Sequence, residues 1–111
     1  MKTEEFIAKF KGDIEKMKAQ VGPATNGFAG LFNKAMAEGA LTVREKELIA
    51  IGIAVAKQCE PCIKLHVQKC LDAGAVREEI LEASGVAVMM GGGPAYTHVP
   101  MVIEALDELE S

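Results

Sequence analysis

The chain has 111 residues, half of them apolar, and a formal net charge of −4 from 12 basic and 16 acidic side chains. That length predicts a single domain over residues 1–111 with a core of its own, and an acidic balance without any basic cluster argues against a nucleic-acid surface. No segment approaches the roughly 20 apolar residues of a membrane-spanning helix, and the start, MKTEEFIAKF, alternates charged and apolar side chains where a signal peptide would have its apolar centre; a cytoplasmic protein without membrane contact is the expectation.

The apolar fraction is mostly Ala, Val, Ile, Leu and Met, with four Phe, one Tyr and no Trp, as in packed helices. A mean hydropathy of +0.17 is more than so small a domain hides by itself, which predicts a homo-oligomer. Phe6, Ile7, Phe10, Ile14 and Met17 recur at helical spacing from Thr3 to about Gln20. Gly22-Pro23 ends that helix and starts a second, roughly Ala24 to Ala37, with Phe28, Leu31, Phe32 and Met36 on one side. Thr42-Val-Arg-Glu45 matches a capping box, so a third helix is expected from Val43 to about Lys57. Its stretch Leu48 to Ala56 carries no polar side chain, the pattern of a central helix touched on most sides.

A fourth helix is predicted to start near Cys59, with Pro61 in its first turn, and to end at Ala73-Gly74. A fifth, Val76 to about Met90, opens on Glu78 and Glu79, where negative charge is favoured. Met89-Met90 reads as core packing and Ser84-Gly85 as a close helix contact. Gly91-Gly92-Gly93-Pro94 is a break, and a last helix occupies much of Ala95 to Leu109. Pro100 either kinks that helix or marks its true first turn after a Thr97 cap; the pattern leaves both open. The fold class is all-α, with about six helices.

The chemistry concentrates between Glu47 and His66. Cys59 falls at a helix N-terminus and Cys62 in its first turn, where unpaired N–H groups favour a thiolate. His66 lies four residues past Cys62, on the same face one turn away. Cys62 is therefore the thiol this imidazole can serve, and Cys59 the neighbour placed to form a disulfide with it. A thiol pKa depressed by about two units raises the thiolate fraction roughly tenfold or more, but the accompanying loss of nucleophilicity cancels most of that. Proton transfer by a positioned group is worth about 10²–10⁴-fold, so His66, held or recharged by an inward-facing Glu47, is what makes the pair reactive. Two rival readings use the same residues. Cys59, Cys62 and His66 with Glu47 or Cys70 offer zinc ligands in a non-catalytic or redox-responsive module, and two packed thiols are the plainer alternative. Cys70 reads as a buried apolar residue and His98 as a surface residue at a helix start.

Glu47-x11-Cys59-x2-Cys62-x3-His66 resembles the active-site signature of the alkylhydroperoxidase AhpD-like group within the carboxymuconolactone decarboxylase superfamily, and the flanks GALTVREKELIAIGIAVAKQC and GGGPAYTHVPMVIEAL match in character. The resemblance, from about Phe28 to Leu106, implies an AhpD-like helical subunit in a trimer or hexamer. It also implies an antioxidant thiol peroxidase or disulfide reductase, with no metal or flavin, re-reduced by a dithiol or a reducing protein. By the same resemblance Cys62 is the peroxide-attacking thiol, Cys59 the resolving one, and His66 with Glu47 the proton relay. Pro61 stands where the best-characterised members carry a histidine, which implies a simpler relay. The decarboxylase branch lacks the cysteine pair, so a carboxymuconolactone decarboxylase-like reaction on a small acid is the weaker alternative.

Overall fold

Helix boundaries in the computed structural model, which describes residues 1–111, fall where the sequence places its caps and breakers. The elements are α1 (Thr3–Val21), α2 (Pro23–Met36), α3 (Val43–Ala56), α4 (Glu60–Asp72), α5 (Arg77–Gly91), a single-turn α6 (Gly93–Tyr96) and α7 (Val99–Leu109). The expected six helices are thus six long ones plus one turn, with no strand. Thr42 and Glu45 close the reciprocal capping box at the start of α3. Gly22, at φ 75, makes the turn between α1 and α2. The choice left open at Pro100 is resolved: it sits in the first turn of α7, and the cap position belongs to His98 while the Thr97 hydroxyl bonds the Pro94 carbonyl at 3.0 Å.

α3 and α4 end in the same way. At the end of α4, Gly74 takes φ 91 while the Gly74 and Ala75 N–H groups reach back to the Leu71 and Cys70 carbonyls. At the end of α3 the identical pair of bonds runs from Gln58 to Val55 and from Cys59 to Ala54. There the left-handed residue is Gln58, at φ 57, the chain's one non-glycine with positive φ. This Schellman arrangement satisfies carbonyls that would otherwise be orphaned. It also swings the chain directly into Cys59.

The core joins Ile51, Ala54 and Val55 of α3 to Ile63, Val67 and Cys70 of α4, Ile80 and Ala87 of α5, and Val102, Ala105 and Leu106 of α7. Polar ties fix the surrounding helices: Arg44 pairs with Glu79 between α3 and α5, and Arg77 holds Asp107 at 2.7 Å and Glu110 at 3.1 Å between α5 and α7. The Glu108 carboxylate accepts the Thr3 N–H at 2.7 Å, closing the N-terminus of α1 onto α7.

Three expectations need correction. α3 is not covered on most sides: Ile49 and Ile53 are 50% and 53% exposed. Met89 and Met90 are not core residues but project from the end of α5 with 70% and 77% of their surface free. Ile49, Ile53, Val86 and Met90 line one shallow apolar groove between α3 and α5, so the outward face of this helix pair has no cover from within the chain. In α2, Phe28 and Leu31 are exposed while Phe32 and Met36 are half-buried, so the apolar side expected there is only partly packed. The close contact near Ser84 is real but belongs to its neighbours. Ser84 is buried and donates to the Ile80 carbonyl, the Ala83 carbonyl lies 3.5 Å from where a Cβ on Gly52 would stand, and a Cβ on Gly85 would meet nothing within 4 Å.

The two Schellman turns predict opposite outcomes for reciprocal substitutions. A Cβ on Gly74 meets no atom within 4 Å, so Gly74→Ala loses only backbone freedom at positive φ, about 1 kcal/mol. Gln58→Gly relieves the same strain and stabilises by up to about 1 kcal/mol. Thermal midpoints of the oxidised protein should move down for the first variant and up for the second.

Candidate active site

The turn at Gln58 delivers Cys59 to the N-cap of α4. Pro61 occupies the second position of that helix and has no N–H. The donor left for the cap is the Cys62 N–H, and the Cys59 sulfur accepts it at 3.3 Å. Cys59 and Cys62 are joined as a disulfide, with their Cα atoms 5.2 Å apart, so the pairing expected from their spacing is present. Both residues are half-buried.

One turn further along α4, His66 Nδ1 lies 2.7 Å from Glu47 Oε1 of α3. Glu47 does face inward, as its apolar neighbours at helical spacing require: it is 5% exposed, beside the fully buried Ile51. An ionised carboxylate only accepts hydrogen bonds, so the shared hydrogen belongs to Nδ1, and in the neutral imidazole Nε2 then carries the free lone pair. The ring of Phe32 from α2 lies 6.2 Å from the imidazole, centre to centre, and the His66 side chain keeps 15% of its surface exposed. No buried side-chain nitrogen or oxygen in the chain lacks a partner.

The remaining thiol is set apart. Cys70 is fully buried and donates to the Glu47 backbone carbonyl at 3.2 Å. Burial first, and then the charges of Glu47 and Glu79, push its pKa up to about 12, so near neutral pH it is an inert thiol, as expected. His98 is half-buried at the start of α7, with its Nδ1 donating to the Pro94 carbonyl at 2.7 Å.

Sequence reasoning missed the surroundings of Cys62. This residue borders a cleft of about 630 Å³ between α1, α2 and α4, into which Phe10, Phe28, Phe32 and Lys69 also project. The helical spacing of the α1 and α2 apolar residues was readable; that they line an opening beside the cysteines, and do not all enter the core, depends on how the α1–α2 pair leans on α4.

A model of the carboxymuconolactone decarboxylase family matches residues 23–105, a span that holds Glu47, Cys59, Cys62 and His66. Uncharacterized protein 4 in the cox locus of Paracoccus denitrificans is 37% identical over 99 residues, covering 89% of this chain and 86% of its own. Among solved structures, a carboxymuconolactone decarboxylase family protein from Legionella pneumophila superposes with a TM-score of 0.91 at 37% identity, over 98% of this chain and 97% of that one. A family member from Thermotoga maritima, for which a part in the antioxidative response has been suggested, superposes with a TM-score of 0.87 at 27% identity, over 94% of this chain and 89% of its own.

Three thiols in such different settings predict a sharp labelling pattern. After reduction, a neutral alkylating reagent should modify the Cys59 and Cys62 thiols of the native chain and reach Cys70 only in denaturant, with intact mass giving the count.

Proposed function

We propose that this chain, which belongs to the carboxymuconolactone decarboxylase family, is a thiol-dependent peroxidase or disulfide reductase of the antioxidant kind, cycling between the Cys59–Cys62 disulfide and its dithiol. The observation that carries this reading is the 2.7 Å bond between His66 and Glu47 one helical turn beyond a closed cysteine pair. An oxidisable dithiol and an oriented proton carrier are the two components that peroxide reduction requires.

In the reductive half of the cycle Cys62 attacks. His66 Nε2 takes the Cys62 proton, and the thiolate attacks the terminal oxygen of ROOH, forming the S–O bond. As the O–O bond breaks, the proton returns from His66 to the leaving alkoxide, giving ROH and a sulfenic acid on Cys62. The Cys59 thiol then attacks that sulfur, water departs, and the disulfide forms. An external dithiol, small or on a protein, attacks Cys62, expels Cys59 and leaves as its own disulfide. Cys59 suits the role of leaving group because its sulfur accepts the Cys62 N–H at the helix N-terminus, which stabilises the departing thiolate. The cytoplasm, where disulfides are mostly transient and catalytic, is the compartment this cycle fits.

The working unit is a homo-oligomer, a trimer or hexamer. Only 17 of 111 residues are buried in the isolated chain, and Ile49, Ile53, Val86 and Met90 form one contiguous apolar groove, the kind of patch that marks an interaction site. A second copy of this chain covers it.

Single substitutions order the steps. With one equivalent of peroxide, Cys59→Ser should stall as a sulfenic acid on Cys62 that a sulfenate-trapping reagent labels, whereas Cys62→Ser should show neither label nor turnover. His66→Ala should lose roughly 10²-fold or more in rate because the proton carrier is gone, and Glu47→Gln should lose less. A sulfenate on Cys59 in the Cys62→Ser chain would reverse the roles of the two thiols.

The oligomer is tested separately. Light scattering in reducing buffer should give at least a trimer, and Ile53→Asp, which puts a charge in the groove, should lower that mass; a monomeric parent chain at micromolar concentration would remove the oligomer from the account.

A further inference from the structure

The cleft beside Cys62 has a composition that the redox cycle alone does not require. Its volume of about 630 Å³ falls among small-molecule sites, which run from about 300 to 1,000 Å³. Phe10 and Ile14 of α1, Phe28 and Phe32 of α2, and Leu65 of α4 give it a hydrocarbon lining. Phe28 remains 67% exposed, so this aromatic is spent on the cleft and not on the core.

The charge lining it is one-sided. Lys11, Lys18 and Lys69 contribute to the walls against a single acid, Glu15, in a chain whose overall charge is −4. Glu15 is 3.5 Å from Lys18, while Lys11 and Lys69 take part in none of the chain's ion pairs. Lys69 lies 5.3 Å from the centre of the Phe32 ring, a cation held where an aromatic wall meets water. Lys11, Ile14 and Lys18 follow one another at three- and four-residue spacing, so α1 offers cations and hydrocarbon on one stripe.

We propose that this cleft binds an amphipathic anion, and that the substrate class is the hydroperoxide of a carboxylic acid with a hydrocarbon chain. The chain lies on Phe10, Ile14, Phe28 and Phe32, the carboxylate is met by Lys11 and Lys69, and the hydroperoxy group is presented to Cys62. The reaction balances as before: one hydroperoxide and the two cysteine thiols give the hydroxy acid, water and the disulfide, which an external dithiol reduces. That the ligand is a hydroperoxide rests on the peroxidase reading above, whereas its hydrocarbon body and negative charge rest on the cleft alone. Small peroxides need no such lining, and a neutral hydrophobic one would leave Lys11 and Lys69 without a counter-charge.

Calorimetric titration of the full-length disulfide form with decanoate, decanol and acetate separates these parts. Decanoate, below its micelle concentration, should bind at least tenfold more tightly than decanol, and acetate should show no heat; the preference for decanoate should shrink with added salt. The Lys11→Gln/Lys69→Gln chain, checked for an unchanged melting temperature, should bind decanoate and decanol alike. A parallel assay should find a higher kcat/KM for a fatty-acid hydroperoxide than for its methyl ester. Equal or absent binding of decanoate and decanol by the parent chain overturns the proposal, whatever the chain does with peroxides. So does a change in oligomer mass in the double variant, because a second copy and not a ligand would then occupy the cleft. Decanoate binding without oxidation of the thiols by any hydroperoxide keeps the anion site and overturns the peroxidase reading instead.

Discussion

A carboxylate and an imidazole taken out of water and held 2.7 Å apart fix how α3 meets α4. Glu47 lies about two and a half turns before the end of α3, and His66 a little under two turns into α4. They face each other only because the chain doubles back over Lys57, Gln58 and Cys59. Breaking a buried pair of this kind typically costs about 3–5 kcal/mol, yet replacing both partners with well-packed apolar residues is often neutral or stabilising. Stability alone therefore gives no reason to keep the pair where Ile51 and Val55 supply apolar packing. What it secures is an imidazole of fixed tautomer and direction, beside cysteines that the same turn positions. The strained Gln58 belongs to this arrangement, since a looser turn would leave Cys59 free to drift from the cap.

Much of this was legible in the residues. Capping chemistry marked the start of α3, Gly74 the end of α4, and the glycines after Met90 the break before α6. These are local signals that depend on only a few neighbouring residues. Cys59, Cys62 and His66 were legible together because helical spacing is rigid, about four residues to a turn. The inward face of Glu47 was legible from its apolar neighbours Ile51, Ala54 and Val55 on α3; that Glu47 meets His66 depends on the turn between the two helices. Where the reading failed, the missing information was not local. Periodicity shows that Leu48 to Ala56 is apolar all round, but not which side another element covers, and Ile49 and Ile53 find no cover within their own chain. Met89 and Met90 were misplaced for the same reason. Gln58 carried no signal because nothing in a glutamine announces positive φ; the requirement comes from the bonds its neighbours make to α3.

The uncovered groove and the cleft lie on different helices, and this separation bears on how the molecule works. α3 packs its inward face on α4 and α5 and turns Ile49 and Ile53 outward into the groove it shares with α5, while α1 and α2 lie over the start of α4. A partner on the α3–α5 face would press on the back of the helix that carries Glu47. The cleft beside Cys62 would stay open to small molecules. In the proposed oligomer, assembly and ligand access would fall on different surfaces, with the Glu47–His66 bond between α3 and α4 lying between them.

The helix N-terminus and the histidine make competing demands on the two cysteines, and the geometry divides them. A cap position stabilises negative charge, and the cap sulfur is that of Cys59, which accepts an N–H from the helix. On charge alone Cys59 would be the more ionised thiol and, by the usual correlation, the weaker nucleophile and the better leaving group. Cys62 has its own N–H committed to Cys59, lies one turn from His66, and borders the cleft. In the proposed cycle Cys62 would lack the cap's full stabilisation, so its thiolate would keep more of its intrinsic reactivity and its thiol would hand its proton to the imidazole. In that proposed cycle, a pair with one sulfur easily expelled and the other easily reached would run in both directions, oxidised at Cys62 by a peroxide and reduced at Cys62 by a dithiol. Cys70, pushed up to about 12 and hydrogen-bonded to the Glu47 carbonyl, stays out of that exchange, which keeps the disulfide confined to one pairing.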